Sequence, residues 1–309
     1  MFAMQPPPEL PSASPEFTSV ETDAAAELIR LALAEDLGDD GDRTGEALID
    51  QEARGRVEIC NRADGVVCGL PVVAQLFETL DERVTVTTSA RDGQAVGEPG
   101  CLATLDGPVR SLLAGERTAL NFLGHLSGIA TQVAAHVAVV AGTGTRVLDT
   151  RKTLPGWRRL AKYAVACGGG TNHRMGLFDG VLIKDNHLAG RGDPLAVASA
   201  VTTARDAVPE SLPVQVEVDT IEQLTDALRA APDMVLLDNM PPEELARAVT
   251  IRDERAPGVL LEASGGITLE SLAEVAATGV DRVSMGALTH SVPNWDVGFD
   301  WVAGTGTRP

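Results

Sequence analysis

Six short apolar runs in this chain end in side chains able to do chemistry. In order they are Asp149-Thr150-Arg151-Lys152, Lys184-Asp185-Asn186-His187, Glu217-Val218-Asp219, Asp238-Asn239, Glu262-Ala263-Ser264-Gly265-Gly266 and Ser284-Met285-Gly286. Arg151, Lys152 and Arg174 are of the types that fix carboxylates, the guanidinium fork bidentately and the lysine as a point charge. Asp149 flanks the first pair, and Asn172 and His173 flank Arg174. Ser264-Gly265-Gly266 and Gly286 suit a phosphate, because glycine lets the backbone approach an anion and following helix starts donate N–H groups. Lys184, Glu217 and Asp238 stand at three successive run ends. The two carboxylates can hold ribose hydroxyls or a magnesium ion bearing a pyrophosphate, and an internal ion-pair network explains the same trio equally well. His173 can bind substrate or hydrogen-bond the glycine loop Gly168-Gly169-Gly170, and proton transfer by it is possible without being required.

The charge distribution singles out the same region. The chain has 25 Lys+Arg against 44 Asp+Glu, a net charge of −19. Between positions 146 and 191, however, nine Lys or Arg face only three Asp. A cationic island in an acidic protein suits a small polyanion carrying carboxylates or phosphates. Nucleic acid is excluded as a partner, since the remaining surface repels it. No apolar run approaches the roughly 20 residues a membrane span needs; the longest, around 133–141, is interrupted by His136. The start of the chain has neither a basic nor an apolar signal region, and its proline and serine content predicts a flexible tail over 1–20.

Two patterns of periodicity position these groups. From about 21 to 141 an opening helix (AAAELIRLALAED) precedes short alternating strands: RVEICNRADGVVCGL, RVTVTTSARDGQAV and CLATLDGPV. A helix over 111–141 follows, with Leu120, Leu123, Leu126 and Ile129 at helical spacing. This predicts an α+β domain with an antiparallel sheet. From 142 to 288 the runs RVLD, DGVLIK, VQVEV, MVLLD, VLLEASGG and VDRVSMG recur about every 20 to 35 residues, the length of a β-α unit. They are continuously apolar rather than alternating, which predicts a parallel sheet or barrel covered on both faces. In a β/α barrel the C-terminal strand ends share one rim, where active sites are built. Amphipathic segments between the runs, such as IEQLTDALRAA, PEELARAVTIRDE and LESLAEVAATG, supply the helices.

Several tempting motifs carry little. The acidic stretch from Glu35 to Asp42 imitates a calcium loop, but Ala47 stands where the bidentate glutamate belongs. Arg191-Gly192-Asp193 spells an adhesion tripeptide and reads as a loop. Cys60, Cys68, Cys101 and Cys167 form no Cys-x-x-Cys pair, and read as reduced structural thiols of a cytosolic protein.

Longer motifs make a more specific comparison possible. GERTALNFLGHLSGIAT, the stretch from DTRKTLPGWRRLAKYAV through CGGGTNHRMGLFDGVLIKDNH, and VEVD, LLDN, EASGGI and VSMGALTHS occur in this order. Over about residues 28–301 the chain resembles the quinolinate phosphoribosyltransferases (nicotinate-nucleotide pyrophosphorylases, carboxylating), the type II phosphoribosyltransferases. The resemblance implies an α/β fold: an incomplete (β/α) TIM-like barrel with an N-terminal α+β open sandwich. The segment 289–309 is then expected to return to the N-terminal domain. It implies a cytoplasmic enzyme of NAD biosynthesis that forms nicotinate mononucleotide, pyrophosphate and CO2 from quinolinate and phosphoribosyl pyrophosphate, with magnesium. A homodimer, able to assemble further, is also implied, with Arg117 of GERTALN donated across the interface. By the same resemblance Arg151, Lys152, His173 and Arg174 line the quinolinate pocket. Lys184, Glu217 and Asp238 face the phosphoribosyl pyrophosphate, and Ser264, Gly265, Gly266 and Gly286 hold a phosphate. Lys152, Lys184, Glu217 and Asp238 are the expected catalytic set, with Glu217 and Asp238 as metal ligands. Arg158, Arg159 and Lys162 fall on a helix surface in this reading. Two rivals stay open: a pyridine phosphoribosyltransferase that does not decarboxylate, and a non-catalytic binder of pyridine nucleotides acting as a regulator.

Overall fold

The computed structural model describes residues 15–192 and 197–302. The expected tail lies largely outside them, as do the C-terminal GTGTRP and the Asp193 of the Arg-Gly-Asp loop. At residue 18 the tail reading is corrected. Thr18 caps helix α1 (Ser19–Leu37), its side chain accepting the Val20 N–H while Glu21 completes a capping box. Along the chain follow α2 (Arg43–Leu48), β1 (Arg54–Asn61), β2 (Gly65–Val66), α3 (Leu70–Leu80), β3 (Thr85–Thr88), β4 (Ala95–Val96), β5 (Cys101–Pro108) and α4 (Val109–Val139). Then come β6 (Arg146–Leu148), α5 (Arg158–Cys167), β7 (Val181–Ile183), α6 (Asp185–Gly190), α7 (Val197–Ala207), β8 (Val214–Val218) and α8 (Ile221–Ala227). The last elements are β9 (Met234–Asp238), α9 (Pro242–Arg255), β10 (Leu260–Ser264), α10 (Leu269–Ala277), β11 (Arg282–Ser284), α11 (Ala287–His290) and β12 (Val297–Trp301).

The chain forms two compact units. Among the described residues, the first joins those within 1–135, 153–169 and 288–309, and the second those within 136–152 and 170–287. An unbroken barrel domain over 142–288 is therefore corrected: 153–169, with α5, belongs to the first unit. In that unit an antiparallel sheet runs β12-β1-β5-β3, with β2 and β4 as a separate pair. β1 alternates along its length, burying Val57 and Ile59 completely, as a half-covered strand should. The late strand β12 pairs with β1 from Val57 opposite Trp301 to Asn61 opposite Val297. α4 is long and apolar enough to cross a membrane by length and composition, contrary to the reading that no such run exists. Its most apolar stretch is 61% buried inside the fold, as in a core helix. Lys162 on α5 is 1% exposed, so its surface assignment is corrected. Residues 160–165 of α5 are all buried, leaving that stretch no solvent face.

The second unit is a parallel sheet in the order β6-β11-β10-β9-β8-β7. Consecutive strands β7 to β11 are neighbours and β6 returns beside β11, which is a barrel order. No β6–β7 pairing closes it among the described residues, so the barrel is incomplete. All six apolar runs of the sequence became these strands.

Candidate active site

Strand register gathers the polar run ends on one rim. Ser264 lies opposite Asp238 on one side and Ser284 on the other. Val218 pairs with Leu237 and Ile183 with Val216, so Asp219 comes beside Asp238 and Lys184 beside Glu217. Each strand hands over to a loop or helix here, where side chains are no longer needed for packing.

The cationic side is built around β6. The segment 171–174 lies alongside it: the Thr171 N–H donates to the Val147 carbonyl at 2.8 Å, and Leu148 bridges Thr171 in parallel. Asp149, fully buried, accepts the His173 backbone N–H at 2.7 Å. These bonds bring Arg174 toward Arg151, which follows β6 in sequence. Arg174 donates to the Gly180 carbonyl at 3.0 Å. Burial and the charge of Arg151 both hold the Arg174 pKa below its ordinary value, against the opposing charge of Asp179. Two guanidiniums that repel each other in a half-buried loop make a site ready for an anion.

The His173 ring is engaged within the protein. Its Nδ1 accepts the Arg174 backbone N–H at 2.7 Å. Its Nε2 lies 3.3 Å from Oε1 of Glu262, which is fully buried in mid-strand on β10. Oε2 of Glu262 accepts from Gln215 Nε2 at 3.2 Å and lies 3.2 Å from Arg282 Nε. Burial pushes the Glu262 pKa up, but the His173 ring, the Arg282 guanidinium and the Ser284 hydroxyl outweigh it, and the net direction is down.

The anionic side lies on β7 to β9. Lys184 Nζ donates to Glu217 Oε2, and the Lys184 side chain remains 43% exposed. Burial and the neighbouring charge of Asp219 raise the Asp238 pKa; Lys184, the Asn239 amide and Lys152 work in the opposite direction. Lys152, exposed, therefore acts electrostatically on the same group as Lys184. Asn239 Nδ2 donates to Asp238 Oδ2 at 2.7 Å from a backbone of φ +54. Behind it Gly265 has φ +93, and a Cβ there would sit 2.2 Å from Asn239 Oδ1 and 2.9 Å from the Asn239 nitrogen. Gly266 has φ +61 with open space around it. Gly286 is half-buried at the start of the short α11.

The second unit thus contains Arg151, Lys152, His173, Arg174, Lys184, Glu217, Asp238, Ser264, Gly265, Gly266 and Gly286. Arg117 belongs to the first unit, where it is exposed on α4. There it lines a cavity of about 230 Å³ with Leu28, Glu35, Asp36, Phe122 and Trp157. Three residues of the site escaped the sequence reading except as members of a run: Glu262, Asp219 and Asn239. The available signal was strand alternation, which puts Glu262 on the same face as Ser264.

Comparison with known proteins gives one family. Residues 42–127 match the family model for the quinolinate phosphoribosyl transferase N-terminal domain, and 129–300 match its C-terminal domain. A nicotinate-nucleotide pyrophosphorylase (carboxylating) from Mycobacterium leprae (strain TN) is 45% identical over 282 residues, covering 91% of this chain and 98% of its own. The human protein of the same name is 37% identical over 252 residues, covering 81% and 83%. The structure of the nicotinate-nucleotide pyrophosphorylase from Francisella tularensis superposes with a TM-score of 0.85 at 37% identity, across 94% of this chain and 100% of that one.

Proposed function

The chain belongs to the quinolinate phosphoribosyltransferase family, and on that premise we propose that it converts quinolinate and phosphoribosyl pyrophosphate into nicotinate mononucleotide, pyrophosphate and CO2. The observation that carries this reading is the crowded Arg151–Arg174 pair on the same rim as Lys184–Glu217 and Asp219–Asp238. Two adjacent carboxylates on a pyridine ring match two guanidiniums whose like charges act on each other. Lys152 adds an exposed positive charge.

In the proposed mechanism, the arginines hold quinolinate with its ring nitrogen toward the ribose. The nitrogen lone pair forms a bond to C1 as the C1–pyrophosphate oxygen bond breaks, through an oxocarbenium-like state that Glu217 or Asp238 can stabilise. Lys184, exposed at its tip, is suited to the departing pyrophosphate. The ring is now cationic. The 2-carboxylate leaves as CO2, its bonding pair passing to ring carbon 2 next to the positive nitrogen, where a proton is taken up. Catalysis is mostly positioning and electrostatics.

Magnesium is proposed to accompany the pyrophosphate. Asp238 fits a hard cation, because burial and Asp219 make its charge costly without one. Glu217, already neutralised by Lys184, would share its carboxylate. The ion would supply charge neutralisation on the leaving group. The reading extends to a homodimer, with higher assembly open to it, in which Arg117 completes the partner's pocket. Exposure of Arg117, outside the unit that holds the other residues, supports this. Four free cysteines suit the proposed cytoplasmic location.

The test is product formation with carboxyl-labelled quinolinate and phosphoribosyl pyrophosphate, with and without magnesium. Equal amounts of nicotinate mononucleotide and CO2, dependent on magnesium, are expected. Ribosylation without CO2 release would select the non-decarboxylating rival, and binding without turnover would select the regulator.

A further inference from the structure

Beneath the cationic pocket lies a fully buried carboxylate that takes no part in the proposed chemistry. Glu262 has no exposed surface and is ringed by nitrogens: Gln215 Nε2 donates to Oε2 at 3.2 Å, Arg282 Nε stands 3.2 Å from Oε2 as an ion pair, and His173 Nε2 stands 3.3 Å from Oε1. On its far side, His173 Nδ1 accepts the Arg174 backbone N–H at 2.7 Å. A nitrogen that accepts carries no proton, so the ring hydrogen is on Nε2, facing the carboxylate. We infer that Glu262 is a positioning residue for quinolinate binding, fixing His173 in the Nε2–H tautomer so that its Nδ1 holds the Arg174 backbone in place.

The inference rests on the quinolinate reading of the pocket and deepens it. The chain of contacts is Glu262 to the ring of His173, then to the backbone of Arg174, whose guanidinium feels the charge of Arg151. That backbone has a second restraint one residue earlier, where Asp149 accepts the His173 N–H at 2.7 Å. Two buried carboxylates, on β10 and after β6, thus hold the short segment that carries an arginine inclined to move away from its neighbour. A ring clamped at both nitrogens is a brace rather than a proton shuttle. This agrees with a mechanism whose first step needs no general base.

Glu262→Gln makes a sharp test because the amide has only one acceptor oxygen. Gln215 donates to the Oε2 position and the Arg282 cation stands 3.2 Å from it, so together they claim that oxygen, which turns the new NH2 group toward His173. Two donors then face each other. Relief comes only if the ring proton moves to Nδ1, where it meets the Arg174 N–H and breaks that bond. The readouts are nitrogen-15 spectra of the histidine rings and the separate KM values for the two substrates. Five histidines make the spectrum assignable, with His173→Ala identifying the signal.

In the wild type, His173 is expected to show a bare Nδ1 and a protonated Nε2. In Glu262→Gln the pattern inverts, the quinolinate KM rises at least tenfold, and the phosphoribosyl pyrophosphate KM and kcat stay within about threefold. A purely structural role for Glu262 would shift both KM values and kcat together. A protonated Nδ1 in the wild type overturns the proposal even if the variant does not fold. So does a Glu262→Gln enzyme that folds and keeps the wild-type quinolinate KM. Absence of product from the wild type would instead reject the functional reading, leaving the ring spectra to judge the tautomer.

Discussion

Replacing Gly265 by alanine probes the proposed phosphoribosyl side of the site at a point where the structure sets the cost. Gly265 has φ +93, where a side chain costs on the order of 1–3 kcal/mol. The added Cβ would also lie 2.2 Å from Asn239 Oδ1, 2.6 Å from its Cγ and 2.9 Å from its backbone nitrogen. The oxygen can swing away, but the nitrogen is held by its 2.9 Å donation to the Ser264 carbonyl. Swinging the Asn239 amide gives up its 2.7 Å bond to Asp238, a charge-assisted bond worth about 1.5–3 kcal/mol. Together these give about 3 kcal/mol or more, roughly a hundredfold in kcat/KM if most of it falls on the bound transition state. Gly266→Ala is the control. Its φ of +61 is in the ordinary left-handed region and its surroundings are open, so about 1 kcal/mol and a loss of roughly fivefold are expected. Steady-state kinetics with each substrate varied in turn, beside a thermal melt, is the assay. Gly265→Ala should lose kcat/KM for phosphoribosyl pyrophosphate while the quinolinate KM moves less than threefold. Equal losses in the two alanine variants, or a loss confined to quinolinate, would refute the reasoning.

Arg151→Ala and Arg174→Ala should each weaken quinolinate binding at least about tenfold, the value of one charge-assisted contact; titration calorimetry showing near-normal affinity would remove them from the pocket. Mixing Arg117→Ala subunits with Lys184→Ala subunits should restore part of the activity, since a hybrid dimer holds one intact site. Subunit exchange without recovery argues against a shared site. Glu262 has its pKa held below the ordinary value, so its stabilising contribution is complete above the unfolded glutamate pKa of about 4.3 and disappears as pH falls through the lower folded value. Urea unfolding below about pH 4 should therefore weaken the wild type more steeply than Glu262→Gln. Matching acid limbs would contradict the depressed value.

Much of the fold was legible because its signals are local. MVLLD is a continuous apolar run closed by an aspartate and became the parallel strand β9, while VQVEV, β-branched at every second position, became β8. The polar ends of such strands had to meet at one rim, which the sheet order alone enforces. The fate of α5 was not legible, because an amphipathic helix does not encode which unit it packs in. Basic residues on it looked like solvent anchors, yet Lys162 is buried. Nor does any local pattern give the left-handed backbone of Asn239, which depends on the Gly265 turn facing it across the sheet.

The hardest feature to read was the buried row under the rim, and strand geometry explains both its existence and its effect. Side chains two residues apart on a strand share a face. Glu262 therefore shares its face with Ser264, Arg282 with Ser284, and Gln215 with Glu217. Register sets Glu262 beside Arg282 and Leu236, and one step further toward the rim sets Ser264 beside Ser284 and Asp238. The inner row is occupied within the protein, with Gln215 donating to the Glu262 carboxylate and Arg282 and the His173 ring 3.2 and 3.3 Å from it. The outer row is open to ligands. A closed polar row in low dielectric has few alternative arrangements, because each lost bond leaves a buried group unpaired. It therefore fixes the strand ends and the 171–174 segment above it. A rim that presents repelling arginines and a costly aspartate needs that kind of support: without a rigid base the groups would drift to relieve their own strain, and the site would no longer be shaped for a ligand when one arrived.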